Sequence, residues 1–148
     1  MVDTVTGGCL CGAKRYRVLI DDDDAYLYHC RMCQRAAGSI SLALKNVTKS
    51  AVAWDRAEPD RYRSSPFAQR GYCAACGTSL TYESDGHNQM DLTVGSFDDP
   101  YRFRPVSHSG AESMHEGWLD TRGLPAERTE DNARIVARWK ESLGYVPN

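Results

Sequence analysis

The sequence predicts a mainly β protein that is organised around bound metal and carries one helix near its carboxyl end. Three observations lead to this prediction: short apolar segments separated by turn residues, six cysteines that all lie in close pairs, and a single amphipathic stretch after residue 129. Short strands at regular spacing are typical of β-sandwiches and barrels. With 148 residues, one domain over residues 1–148 is the simplest organisation, and a chain of this length can bury a core.

The strand predictions rest on apolar residues at every second position or in short runs. Such segments occupy residues 15–20, 25–28, 40–44, 52–54 and 90–94. Turn residues lie between them at 45–46, 58–60, 64–66 and 84–86. The four aspartates at residues 21–24 lack the glycine and terminal glutamate of a calcium loop, so we expect a solvated turn there. Residues 34–39 are typical of a helical turn closed by glycine.

The helix is predicted over about residues 130–143. Thr129 is placed to cap it, Gly144 to end it, and Glu130 to pair with Arg134 four positions later. We expect its apolar stripe to pack on the sheet, with a partner-binding face as the alternative. The stripe consists of Ile135, Val136, Trp139 and Leu143.

Every cysteine of the chain lies within three residues of another. The pairs are Cys9/Cys11, Cys30/Cys33 and Cys73/Cys76, and two of them are flanked by glycine. Paired thiols of this kind are typical zinc ligands. Three disulfides are the alternative, but the chain shows no secretory signal and is longer than most disulfide scaffolds, so we expect a cytoplasmic protein with reduced thiols.

Six cysteines cannot fill two tetrahedral zinc sites with thiolates alone. The two glycine-flanked pairs, Cys9/Cys11 and Cys73/Cys76, form the more economical closed site. Cys30 and Cys33 then remain as an incomplete or open site, of the kind that catalytic zinc uses. A third ligand from a histidine is an open alternative, although a lone histidine is more often structural. The histidines are His29, His87, His108 and His115.

Charge and hydropathy exclude two classes of partner. The net charge is −2 and the basic residues are scattered, which argues against nucleic-acid binding. No window approaches the roughly 20 apolar residues that a membrane span requires. The sequence makes no prediction of oligomeric state.

Several ordered motifs together resemble the glutathione-dependent formaldehyde-activating enzyme (GFA) family, which includes the CENP-V type domain. The resemblance covers about residues 5–126, which we take as the core of the domain. Its motifs occupy residues 7–13, 30–39, 67–80 and 94–100, followed by a tail with His108, Trp118 and residues 124–125.

The resemblance implies an Mss4-like fold with a structural zinc on Cys9, Cys11, Cys73 and Cys76. It also implies a second, labile zinc on a CxCxxC motif. Here Tyr28 stands at the first cysteine of that motif, which leaves Cys30 and Cys33. The implied activity is that of a carbon-sulfur lyase, in which glutathione adds to formaldehyde to give S-hydroxymethylglutathione.

The leading hypothesis is therefore a zinc-binding lyase that acts on glutathione or a similar thiol and a small aldehyde. Cys30 and Cys33 are its candidate catalytic residues. Arg35 is placed to hold a carboxylate of the thiol, and Ser39 to donate a hydrogen bond. Two alternatives stay open: a redox dithiol at Cys30/Cys33, and a zinc-stabilised binding module without catalysis.

Overall fold

The computed structural model describes residues 1–147 of the 148. The chain divides into two compact units, Met1–His115 and Glu116–Asn148. This division does not test the prediction that the whole chain is one domain, which stays a prediction.

The first unit consists of two β-sheets and one short helix. A three-stranded sheet has the order β1-β2-β5, and a seven-stranded sheet has the order β10-β3-β4-β9-β8-β7-β6. Neighbouring strands are antiparallel except for β10 and β3, which run parallel. The strands found in residues 1–147 are β1 (Asp3–Gly8), β2 (Arg15–Ile20), β3 (Asp24–Tyr28), β4 (Leu42–Thr48), β5 (Val52–Trp54), β6 (Asp60–Ser65), β7 (Ala68–Tyr72), β8 (Ser79–Ser84), β9 (Gln89–Thr93) and β10 (Arg104–Ser109).

Strand β2 shows how the sequence pattern becomes a sheet face. Tyr16, Val18 and Ile20 are buried, whereas Arg17 and Leu19 are exposed, as the alternation predicts. The Tyr16 ring packs edge-on against Trp54 and Phe97, with ring centroids 5.3 and 5.5 Å away. These aromatic contacts lie in the main apolar core of the unit.

The turn predicted at residues 45–46 was wrong. Those residues lie inside β4, where Lys45 is buried and its ammonium group pairs with Asp22. The four aspartates at residues 21–24 are exposed, as expected of a solvated segment, and Asp23 also accepts from Arg102, with N–O distances of 2.6 and 2.8 Å. Turns are found at residues 66–67 and 85–86, so the turns predicted at 64–66 and 84–86 are confirmed with shifted bounds, since residues 64–65 lie in β6 and residue 84 ends β8.

Helix α1 (Arg31–Ala37) begins three residues before the predicted helical turn. Its N-cap is Cys30, and Gly38 ends it in the left-handed conformation with φ of 62°. The buried Gln34 donates hydrogen bonds to the carbonyls of His29 and Ser113, at 2.8 and 3.0 Å. These bonds fix α1 against the end of β3.

The second unit contains helix α2 (Ala133–Leu143), preceded by short 3-10 turns. Its cap is Asn132, whose side chain accepts from the Ile135 amide at 3.2 Å, and not Thr129 as predicted. Gly144 ends the helix as expected. Glu130 contacts Arg128 at 2.5 Å. None of the α2 side chains is fully buried, so its packing on the sheet stays a prediction.

These elements confirm the prediction of a mainly β fold with a C-terminal helix. Within residues 1–147, no helix has the length and apolar character that crossing a bilayer requires.

Candidate functional site

The four cysteines predicted to hold structural zinc lie together. Their Sγ atoms are all within 4.8 Å of one another, and the Cys9–Cys11 and Cys11–Cys73 separations are 3.6 and 3.8 Å. A tetrahedral zinc ion with Zn–S bonds of about 2.3 Å places its sulfurs about 3.8 Å apart. The cluster thus has the composition and approximate spacing of a tetrahedral metal site.

Two connections build this cluster. Cys9 and Cys11 follow β1, and Cys73 and Cys76 lie between β7 and β8. In the second connection Gly77 has φ of 78°, and its amide donates to the Cys73 carbonyl at 2.7 Å. This conformation favours glycine and turns the chain back into β8.

Hydrogen bonds around the cluster stabilise thiolates, the form that binds metal. The Lys14 amide donates to Cys9 Sγ at 3.2 Å. The Thr78 hydroxyl lies 3.2 Å from Cys76 Sγ and, together with nearby amides, lowers the pKa of the Cys76 thiol to about 5. A hydrogen bond from the Ala13 amide lowers the pKa of Cys11, but the neighbouring thiols and burial together raise it to about 11, so metal binding has to displace this proton.

Cys30 and Cys33 form a separate pair at the start of α1. Their Sγ atoms are 2.7 Å apart, much closer than two sulfurs on one zinc ion. The Cys33 amide donates to Cys30 Sγ at 3.2 Å. Cys30 is partly exposed and Cys33 is buried.

A second zinc ion does not fit this pair as it stands. Among residues 1–147 only the Cys9 cluster groups three or more histidine, cysteine or acidic ligand atoms, so none of the candidate histidines completes the pair. His29 lies next to Cys30 in sequence, but its Nε2 is 2.9 Å from His108 Nδ1 and its ring is buried. Burial and the nearby His108 hold the pKa of His29 below its usual value.

A row of side chains that sequence reasoning missed crosses the large sheet beside this pair. The register places Tyr62, Arg70, Tyr82 and Asp91 opposite one another on four consecutive strands, β6 to β9. Directly opposed residues of antiparallel strands share a face, so the four form a polar stripe. This row is created by pairing between strands that are distant in sequence. The sequence alone does not show which residues of these strands lie opposite one another.

Arg70 connects that row to the cysteine pair. Its Nη2 donates to Cys33 Sγ at 3.5 Å, and its guanidinium carbon lies 5.0 Å from the centre of the Tyr82 ring. The side chain is buried, and Nε has no hydrogen-bond partner in the described residues. Burial raises the pKa of the Cys33 thiol, and Arg70 opposes this rise.

Two pockets flank α1. The larger, of about 480 Å³, lies between α1 and strands β6 to β8, and Arg35 and Arg70 contribute to its wall. The second, of about 360 Å³, is lined by Arg35, Ser39 and His115. Arg35 therefore borders both pockets, whereas Ser39 borders only the second. Neither Cys30 nor Cys33 is among the residues that line them.

Comparison with known proteins identifies the family of this chain. A family model described as "Glutathione-dependent formaldehyde-activating enzyme" matches residues 4–113. The chain belongs to this GFA family. All six cysteines, Arg35, Ser39 and Arg70 lie inside the matched region, whereas α2 lies outside it.

One sequence relative and one solved structure are similar to this GFA chain. A Schizosaccharomyces pombe protein named as an uncharacterized lyase is 32% identical over 92 residues, which is 62% of this chain and 66% of the relative, just under two thirds of its length. A crystal structure of a Rhodobacter sphaeroides protein superimposes with a TM-score of 0.58 at 19% identity, over 70% of this chain and 99% of the other. The second likeness shows the fold alone.

Proposed function

We propose that this GFA chain is a zinc-stabilised carbon-sulfur lyase-like enzyme that joins glutathione, or a similar small thiol, to a small aldehyde. Family membership and the lyase-named relative support the reaction class. The observation that carries the proposal is the larger pocket, whose lining includes Arg35 from α1 and Arg70 from β7. Its volume lies in the usual range of small-molecule sites. Such a pocket favours an enzyme over a binding module.

Two arginines give the pocket a charge suited to an anionic thiol. The Arg35 guanidinium is exposed and free to hold a substrate carboxylate. Arg70 is fixed by its buried contacts, and its positive field favours the thiolate form of a substrate sulfur nearby. Ser39, on the second pocket, would donate a hydrogen bond to a ligand that extends past Arg35.

The reaction adds a thiol across a carbonyl group. The substrate thiol gives up its proton to solvent, the thiolate attacks the aldehyde carbon, and a carbon-sulfur bond forms as the carbonyl π bond opens. The oxygen then takes up a proton from solvent to give the hemithioacetal. Cys30 and Cys33, the predicted catalytic pair, do not line the pocket, and we propose that they act on this step only by positioning Arg70, which borders the pocket and contacts Cys33 Sγ. Holding both reactants in one pocket lowers the entropic part of the barrier.

Zinc is assigned only a structural role in this proposal. Cys9, Cys11, Cys73 and Cys76 would hold the ion, which supplies a cross-link between the connections after β1 and β7. A labile second zinc on Cys30 and Cys33 stays a prediction of the resemblance, and no step of the proposed reaction uses it.

The test measures formation of S-hydroxymethylglutathione from glutathione and formaldehyde by NMR exchange spectroscopy, with zinc-loaded protein and with glutathione itself as the reductant. We expect acceleration over the uncatalysed reaction, and a fall of about tenfold in kcat/KM for Arg35→Gln, carried mostly by KM. Arg134→Gln, an exposed arginine of α2, is the matched control. Absence of acceleration by the wild type contradicts the proposal.

A further inference from the structure

We propose that Cys30 and Cys33 form a redox-active dithiol that exchanges with small anionic disulfides of the glutathione disulfide class. This activity goes beyond the proposed lyase reaction, because it needs no aldehyde and changes the oxidation state of the protein. It also accounts for a pair of cysteines that the zinc cluster leaves unused.

The geometry of the pair suits sulfur-sulfur chemistry better than metal binding. The two Sγ atoms are in direct contact at 2.7 Å, whereas a zinc ion would hold them about 3.8 Å apart. Tyr28 occupies the position where a third thiolate would stand, and no other ligand in residues 1–147 completes the set. Two free thiols in contact can form a disulfide with little movement of the backbone.

The two thiols differ in a way that assigns their roles. Cys30 is partly exposed, and its sulfur accepts a hydrogen bond from the Cys33 amide at 3.2 Å, which stabilises the thiolate that must attack. Cys33 is buried, so a disulfide in solution cannot reach it. Cys30 is therefore the attacking thiol, and Cys33 is the resolving thiol.

The charges around the pair select the disulfide. Arg31 and Arg35 are exposed on α1 directly after Cys30, and Arg70 contacts Cys33 from the sheet. A disulfide that bears carboxylates is attracted to this positive surface, and an uncharged one is not. The Arg70 contact also stabilises the Cys33 thiolate when it forms.

The exchange balances in two steps. The Cys30 thiolate attacks one sulfur of the small disulfide, a mixed disulfide forms, and one small thiolate leaves. Cys33 then loses its proton and attacks Cys30 Sγ, so that the Cys30–Cys33 disulfide forms and the second small thiolate leaves. The protein gives up two electrons, and the protons of its two thiols pass to the two small thiols released.

The experiment treats the full zinc-loaded chain with glutathione disulfide and maps the products by mass spectrometry. We expect wild type to lose two hydrogens in the peptide that holds Cys30 and Cys33. Cys33→Ser should stop at one glutathione attached to Cys30, and Cys30→Ser should show neither product. The uncharged disulfide of 2-mercaptoethanol should react more slowly with wild type.

Zinc content provides the second measurement. We expect about one zinc per chain in wild type and the same in the Cys30→Ser/Cys33→Ser variant, which also shows that the variant is folded. Should that variant fail to fold, alkylation of the wild type tests the assigned roles of the two thiols. Cys30, the attacking thiol, should be modified before Cys33.

Several results would overturn the inference. In the disulfide experiment they are an unreactive wild type, adducts on the zinc cysteines alone, or attachment of glutathione to Cys33 first. In the zinc measurement the contrary result is about two zinc ions per wild-type chain, falling to one in the double variant. The lyase test contains a reductant and no disulfide, so failure of either proposal leaves the result of the other unchanged.

Discussion

Gly7 shows how strongly a single residue constrains the packing of this fold. A Cβ atom at Gly7 would lie 2.3 Å from the Tyr16 hydroxyl and 2.5 Å from the Ser96 carbonyl oxygen. Tyr16 cannot move easily, because its hydroxyl is bonded to Ser96 Oγ at 2.8 Å and its ring is fully buried. We predict that Gly7→Ala lowers the free energy of unfolding by about 1–3 kcal/mol.

Gly95→Ala is the matched control, because a Cβ at Gly95 meets no atom within 4 Å. It should change the free energy of unfolding by less than about 0.5 kcal/mol. Urea unfolding followed by circular dichroism measures both variants. Equal stability of the two would show that the core around Tyr16 is looser than the contacts indicate.

Thr78 is the residue most suited to test the metal cluster without removing a ligand. Its hydroxyl stabilises the Cys76 thiolate, so Thr78→Val should raise the pKa of that thiol and weaken metal retention about tenfold. Thr78→Ser keeps the hydroxyl and is the control. Competition with a zinc chelator at fixed pH measures the affinity, and equal affinities for the two variants would contradict the assigned role.

The sequence predicts the residues of the metal cluster better than those around the second pair. Flanking glycines, which are local features, separate Cys9, Cys11, Cys73 and Cys76 from the third pair, although that pair has the same spacing as Cys73 and Cys76. Arg70 and Asp91 carry no comparable signal. A charged residue in a strand is ordinarily exposed, and only pairing with distant strands shows that both are buried.

Strand β9 carries an acidic group inside the large sheet, and this group should make the stability of the protein depend on pH. Asp91 is buried and accepts a hydrogen bond from Asn46 at 2.9 Å. Burial raises its pKa, so the folded state binds the proton more tightly than the unfolded state. The stabilisation from this proton is complete below about pH 3.8 and is lost as pH rises through the raised pKa.

Asp91→Asn removes this titration but keeps an acceptor for Asn46. We therefore expect the variant to be more stable than wild type at neutral pH, with a difference that shrinks as the pH falls. Urea unfolding of both proteins between about pH 4 and about pH 8 measures the difference. Asp24→Asn, at an exposed position, controls for the loss of one negative charge. A difference that stays constant with pH would exclude Asp91 as its source.

The strands in which apolar and polar residues alternate clearly were predicted, and the strands without this alternation were not. β2, β3 and β5 follow the expected positions, whereas β6 and β7 contain arginine, serine and glycine in place of an apolar face. Their pairing comes from the turn at residues 66–67 and from neighbours across the sheet. α2 was predicted by its apolar stripe, but its start was misplaced because Thr129 and Asn132 are both good caps.

At the scale of the whole molecule, the metal cluster and both apolar clusters lie in the first unit. Their residues fall between Val5 and Phe103. We predict that a chain of residues 1–115 keeps the same zinc content as the full chain and melts within about 5 °C of it. Elemental analysis and thermal unfolding measure these quantities. An aggregated or zinc-free fragment would show that residues 116–148 are needed for the fold.

The cysteine cluster joins positions that leave the ribosome far apart in time. Cys9 and Cys11 are made early, but their two remaining partners follow more than 60 residues later, and β3 must wait for β10 to gain its parallel neighbour. A nascent chain therefore carries two unpartnered thiols while the residues between Cys11 and Cys73 are made, and these thiols are open to oxidation or to the wrong metal. The supply of zinc and reductant as residue 76 emerges then decides how much of the newly made chain reaches the native state.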